Sequence, residues 1–207
     1  MRLLERHAFF VEKCFEFEIS GNTYNNHTLG GISMATYNVD TNHSSIEFVV
    51  KHMMVSKVKG FFESYDARIE ATNLEDLTTA AVTFNINVDS INTRNTDRDN
   101  HLRSADFFDV EKHPTIEFTS TDITRDGDDY KLTGDMTIRG ITKPVTFEVE
   151  YNGKGKTPDG VEVYGFEAEA KLNREDFGLT WNAALETGGV LVGKDIKIRV
   201  QLEVNPA

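Results

Sequence analysis

From residue 37 onward, apolar and polar side chains alternate along the chain. Ile46, Phe48 and Val50 fall on one face while Glu47 and Lys51 fall on the other, the period of two that marks a strand with one wet side. Val82, Phe84, Ile86 and Val88 repeat the pattern against Thr83, Asn85, Asn87 and Asp89, and Ile116 and Phe118 repeat it against Thr115, Glu117 and Thr119. Three longer runs follow. Tyr130, Leu132, Gly134, Met136 and Ile138 share a face; so do Val145, Phe147, Val149 and Tyr151, and finally Ile196, Ile198, Val200, Leu202 and Val204. With weaker stretches over 57–70 and 161–172, the pattern predicts about eight antiparallel strands. Asp126-Gly127, Asn152-Gly153, Pro158-Asp159-Gly160 and Gly188-Gly189 supply turns.

Each strong strand has one apolar and one polar face, so the chain encloses a single hydrophobic compartment; a parallel sheet would show apolar runs on both faces. Packing two sheets or closing one sheet into a barrel satisfies this, and the barrel is preferred because closure also removes exposed edges. The expected fold is all-β, an antiparallel barrel of about eight strands with one or two short helices. The first helix is expected to start at Thr96 as N-cap, with Asp97 and Asp99 in its first turn and Leu102, Ala105 and Phe108 at helical spacing. A second helical turn is expected from Asn173 through Phe177 to Gly178.

Composition agrees with sheet: the β-branched residues outnumber Leu plus Ala by roughly two to one. The net charge of -12 disfavours a nucleic-acid or anionic-membrane partner. Cys14 is the single cysteine, which rules out an intrachain disulfide and every four-cysteine zinc site. Ala8-Phe9-Phe10-Val11, followed by Glu12, Lys13, Glu16 and Glu18, is too short and too charged for a signal-peptide core, and no stretch approaches the length of a membrane span. The expected location is the cytoplasm.

Residues 1–33 show no clean period and end in an Asn-rich stretch and Gly30-Gly31. Met34 stands just before the alternation, and two glycine codons, both beginning GG, would lie upstream of it where a bacterial ribosome-binding sequence belongs. The chain is therefore expected to divide into a 1–33 extension, upstream of a true start at Met34, and a 34–207 barrel domain. The alternative is an N-terminal arm that caps or dimerises the barrel. Intact mass of the protein from its source distinguishes them.

Catalytic motifs are missing from the pattern. Asp97, Asp99 and His101 alternate as in a calcium loop, but Leu102 and Phe108 stand where the loop needs glycine and glutamate. His43, His52, His101 and His113 form no tight pair, so no metal site is expected, and His52 reads as a buried histidine bonded to a backbone carbonyl. There is no phosphate-binding glycine loop and no nucleophile elbow.

Several blocks carry a family resemblance. His43-Ser44-Ser45-Ile46-Glu47-Phe48, Lys51-His52, Val55-Ser56-Lys57-Val58-Lys59-Gly60-Phe61-Phe62, Asp99-Asn100-His101-Leu102-Arg103-Ser104-Ala105-Asp106-Phe107-Phe108 and His113-Pro114-Thr115-Ile116-Glu117-Phe118 occur in order. The most specific block is Leu132-Thr133-Gly134-Asp135-Met136-Thr137-Ile138-Arg139-Gly140-Ile141-Thr142-Lys143-Pro144-Val145; Asn173-Arg174-Glu175-Asp176-Phe177-Gly178-Leu179 and Val192-Gly193-Lys194-Asp195-Ile196 complete the set. Over residues 36–205 the chain resembles the YceI family of polyisoprenoid-binding, lipocalin-like proteins. The resemblance implies an elongated barrel around an apolar channel that holds a long isoprenoid, of quinone or polyprenyl type, without catalysis or cofactor. Many relatives are periplasmic and carry a signal peptide, a feature not expected here.

A hydrocarbon tail needs only a dry apolar slot. Burying several hundred Å² of it yields on the order of 10 kcal/mol before ordering costs are subtracted. Phe48, Val50, Phe62, Phe84, Ile86, Phe118, Met136, Ile138, Phe147, Phe166 and Trp181 are the expected lining residues, drawn in part from a supply of 14 Phe. Arg94, Arg98, His101 and Arg103 are the expected contacts for a polar head group. Two functions remain open at this point: a carrier or reservoir for an isoprenoid, linked to stress, or a barrel filled by its own side chains that acts as an interaction or scaffolding protein, as a monomer or a homodimer.

Overall fold

The structure, a computed structural model, describes residues 28–29, 32–186 and 188–207. The expectations for the N-terminal extension lie largely outside the described residues. Within it, β1 (Thr28–Leu29) and β2 (Ile32–Ser33) form a two-residue antiparallel ladder.

The remaining strands close into an eight-stranded antiparallel barrel. Its first three staves are each broken in two. β3 (Ala35–Val39) continues as β4 (Ser45–His52), β5 (Ser56–Phe62) as β6 (Tyr65–Ala71), and β7 (Ala81–Asn87) as β8 (Ile91–Asn92). Five unbroken strands follow: β9 (Thr115–Asp126), β10 (Asp129–Ile138), β11 (Ile141–Lys156), β12 (Glu162–Asn173) and β13 (Val192–Pro206). β13 closes the barrel, pairing with β12 along one edge and with both β3 and β4 along the other. Closure leaves no long exposed edge, which explains how a sheet this extensive stays on its own.

Register places the apolar faces inward. Phe84 pairs with Phe118, and Phe118 with Met136, while Leu132 pairs with Phe147 and Phe48 with Ile198. The polar faces meet outside, where Glu169 receives Lys197 and Arg199; those cations hold its carboxyl below the usual range.

The helices correct two boundaries. α1 runs Thr96–Arg103, and its N-cap is Asn95, whose side chain accepts from Arg98 N, rather than Thr96. It stops before Ala105 and Phe108 because Ser104 turns extended, and residues 104–113 fold as successive turns. The second expected turn is present as a 3-10 helix, Arg174–Phe177, capped by Asn173 and ended by Gly178 in the left-handed region at φ 74. Val88, placed in a strand by its period, sits in a short 3-10 turn over Val88–Ser90 instead.

The connections gather at two ends. At one, the segment between β6 and β7 carries Leu74 and Leu77, and Tyr130 donates to the Glu75 carbonyl oxygen at 3.2 Å. At the other, the β4–β5 hairpin, α1 with the turns after it, the β10–β11 turn and the 174–191 segment come together, joined by Arg139, which donates to the carbonyls of Gly178 and Ala105.

Candidate functional site

The inward faces of the strands leave a cavity of about 200 Å³ running between the two ends. It is larger than the roughly 150 Å³ apolar cavity that stays dry and takes up benzene, and below the roughly 300–1,000 Å³ of sites for drug-sized ligands. All the expected lining residues except Trp181 lie on its wall. Rings set its shape: Phe118 and Phe147 meet edge to face with centroids 5.4 Å apart, and Phe48 and Phe62 are tilted at 5.7 Å.

Two glycines let these rings lie close to the strands. A Cβ on Gly134 would collide with the Phe118 ring and the Thr119 carbonyl oxygen, and one on Gly60 would collide with the Phe48 ring. The inward Gly134 that interrupts the apolar run of β10 is thus the seat of an aromatic side chain, at a register shift between Thr133 and Gly134.

Trp181 stands off the cavity wall. It belongs to the 174–191 segment and packs on His101 and Phe107, with ring centroids 4.6 and 5.2 Å away. The period-2 argument that placed the other lining residues does not apply to a loop residue. Sequence reasoning in turn missed Leu74, Leu77 and Leu179, which reach the cavity from loops, and Phe107 and Phe108, which follow α1. Nothing in a two-residue period flags such positions.

The four expected head-group residues are likewise off the wall. Arg98 donates through Nε to Thr93 Oγ1 at 2.7 Å and through Nη2 to the Thr93 carbonyl at 2.8 Å. Arg103 reaches the Asp89 carbonyl at 3.0 Å and the Ile91 carbonyl at 2.9 Å, and Arg94 lies over the Phe61 ring. The His101 Nε2 is 2.9 Å from Asp106 Oδ2. Arg98 and Arg103 fasten α1 to β8 and the residues flanking it, with Asp99, itself buried, accepting from Thr93 N and Thr93 Oγ1 at 2.9 and 2.5 Å. His52, expected to be buried, is half-buried at the end of β4, and it is its own carbonyl that accepts, from Val55 N.

Among the described residues, two ionisable ones belong to the cavity lining, Glu47 and Arg174. Glu47 turns its carboxylate toward Lys59 and Arg199 on the outer face. Arg174 is 2% exposed. Its Nε donates to the Gly193 carbonyl at 2.9 Å and its Nη1 to the Leu179 carbonyl, tying the end of β12 to the start of β13. A signal for it was present: Phe166, Ala168, Ala170 and Leu172 point inward along β12, and one further step of two reaches Arg174.

Among the described residues, Asp40, His43 and Glu203 form the one cluster able to hold a metal ion. It lies at the surface, and His43 Nδ1 sits 2.9 Å from Asp40 Oδ2, an ion pair that raises the His43 pKa and lowers that of Asp40.

A closed antiparallel barrel around an apolar cavity defines a lipocalin-like protein. More particularly, residues 37–204 match the model of the YceI-like domain, and the chain belongs to that family. It is 45% identical over 171 residues to a UPF0312 protein of Staphylococcus aureus strain N315, covering 82% of this chain and 97% of the relative. Among solved structures it is similar to the Campylobacter jejuni YCEI protein, at TM-score 0.64 and 33% identity over 75% of this chain and 88% of that one. A polyisoprenoid binding domain from Saccharophagus degradans shares the fold at TM-score 0.60 and 11% identity, over 84% of this chain and 99% of that one.

Proposed function

We propose that the protein binds a long-chain isoprenoid lipid inside the barrel and acts as a carrier or reservoir rather than an enzyme. The observation that carries this reading is the cavity itself: its wall is hydrocarbon and aromatic except for Glu47 and Arg174, and Glu47 directs its charge outward. Such a wall offers exclusion of water and contact area, the two things a prenyl chain can use, and no nucleophile with a base beside it. The isoprenoid class is supported by the name of the Saccharophagus degradans domain, which shares the fold. Phe48, Phe84, Phe118, Met136 and Phe147 are the proposed chain contacts. A quinone or polyprenyl ligand longer than the cavity needs the barrel to lengthen, and Leu74 and Leu77, which close one end of it from outside the strands, are where we place that lengthening. The alternative of a self-filled scaffolding barrel is disfavoured by that same cavity.

Organic extraction of the natively purified protein followed by mass spectrometry tests the reading. Near-stoichiometric isoprenoid is expected. Absence of lipid, repeated after incubation with quinones and polyprenyl phosphates, contradicts it. The cytoplasmic location and a start at Met34 belong to the same proposal; fractionation of source cells and the intact mass test them.

A further inference from the structure

The β4–β5 hairpin makes three locally unfavourable choices. Met53 and Met54 turn it with φ of 51° and 61°, in the left-handed region that suits Asn and Gly and strains other side chains. Lys51 stands directly across from Lys57, a like-charge pair. The tip is also apolar in water: Met53, Met54 and Val55 are all exposed, Val55 at 86%. Stability accounts for none of the three, and unfavourable choices gathered at one place mark a surface with a use.

The patch extends beyond the hairpin. Met53 N donates to the Leu191 carbonyl at 2.8 Å, which brings the exposed Val190 alongside. Gly193 lies against Lys51, and the exposed Lys194 follows it. Lys59, Lys197 and Lys171 are held by Glu47, Glu169 and Asp195, whereas Lys51, Lys57 and Lys194 form no ion pair among the described residues. The chain carries 34 Asp plus Glu, yet the run from Phe48 to Phe62 holds none, and Glu186 is the one acidic residue between Thr180 and Leu191. Hairpin tips at the opposite end carry Asp126, Asp128 and Asp159 instead.

We propose that this tip docks on an anionic phospholipid bilayer, with Met53, Met54 and Val55 entering the interface and Lys51, Lys57 and Lys194 meeting the lipid phosphates. Shallow binding of this kind draws on buried apolar area together with attraction to anionic lipid. The charge of -12 belongs to the whole chain. Over a Debye length of about 8 Å at physiological salt, the lysines beside the tip govern what a surface there meets, so the expectation drawn from net charge does not extend to this patch. A second copy is the poorer occupant, because a two-fold contact through the tip sets the lysines of one hairpin against those of the other. The docking stands on this surface alone and goes beyond the lipid-binding reading. It also serves that reading, since Val50 and Val192, a few residues from the tip, are on the cavity wall and would be brought near the layer in which isoprenoids dissolve.

Co-sedimentation with vesicles free of isoprenoid tests the docking. The wild-type protein is expected to sediment with equimolar phosphatidylglycerol and phosphatidylcholine and to bind phosphatidylcholine alone at least about ten-fold more weakly, at about five-fold per lysine. Met53→Asn with Met54→Gly, which suits the turn and leaves the charge unchanged, is expected to weaken binding about ten-fold. Lys51→Gln with Lys57→Gln is expected to do the same, and Val161→Ser at the opposite end to bind as the wild type does. Failure of the wild type to sediment overturns the docking; so does equal binding to the two kinds of vesicle, or a hairpin variant that binds as the wild type does. A hairpin-dependent dimer in analytical ultracentrifugation, without vesicle binding, overturns it in favour of a second copy. Organic extraction reports on the cavity separately, so either reading can fail without the other.

Discussion

Where β6 turns into β7, the barrel is closed by hydrocarbon: Leu74 is 1% and Leu77 8% exposed, and both face the cavity. At the opposite end the buried residues include Thr93, Asp99, Asp109 and Arg174, every buried polar or charged side chain found among the described residues. The difference is one of backbone. The leucine end needs only a short turn, whose orphan amides are capped by Asp76 through Thr78 N. The other end carries α1 and the 174–191 segment, long stretches without ladder partners, and arginines satisfy the carbonyls of Ala105, Gly178 and Leu179 in and beside them.

Several experiments break or sharpen that contrast. The largest effect is expected in the wall itself: Gly134→Val drives a side chain into Phe118 and the Thr119 carbonyl and should lose roughly 3 kcal/mol in urea unfolding, together with chain binding. At the apolar end, Leu74→Ala should lose roughly 3 kcal/mol while lengthening the cavity, so binding by dialysis should shift toward longer prenyl chains. An unchanged length preference would mean that the leucines do not limit the cavity. At the polar end, Asp99→Ala leaves Thr93 N and Thr93 Oγ1 without their acceptor and should lose about 2 kcal/mol, with hydrogen exchange accelerated in α1 and little change in chain-length preference.

Smaller effects lie outside the cavity. Met53 and Met54 turn the β4–β5 hairpin with φ of 51° and 61°, a conformation that suits Asn-Gly. Met53→Asn with Met54→Gly should therefore stabilise the protein by about 1 kcal/mol in the same urea titration. The smallest is a pH effect. The raised His43 pKa means that its contribution is complete below the unfolded value near 6.5 and is lost as pH rises through the higher folded value; the lowered Asp40 pKa means that its contribution is lost only as pH falls below 3.8. Both groups are exposed, so melting temperature should decline slightly from pH 6 to pH 9, and His43→Gln should flatten that slope.

The strands and their inward faces were legible because a side chain in a sheet has two choices and the apolar ones declare which was taken. Phe48, Phe84, Phe118 and Met136 all lie where the alternation put them. Arg94, Arg98, His101 and Arg103 were expected at the cavity from charge near a helix, and they lie off its wall. Arg98 and Arg103 have that cue, but their donors satisfy carbonyls their own segment leaves open. The burial of Arg174 is not evident from composition, since arginine is seldom buried, and only the phase of β12 places it inside. The breaks in the first three staves and the cavity leucines of the loops depend on long-range closure, which no local pattern carries.

The protein offers an internal control for where its ligand sits. Of its 5 methionines, Met136 is on the cavity wall at 4% exposure, whereas Met34, Met53 and Met54 are exposed at 40% or more. Carbon-13 labelling of the methionine methyl groups, with farnesyl phosphate and farnesol added in turn, reads all of them at once by NMR. A ligand inside the barrel shifts the Met136 signal with saturable, near-stoichiometric dependence and leaves Met53 and Met54 in place. A constant Met136 signal, or shifts confined to Met53 and Met54, would contradict the internal site.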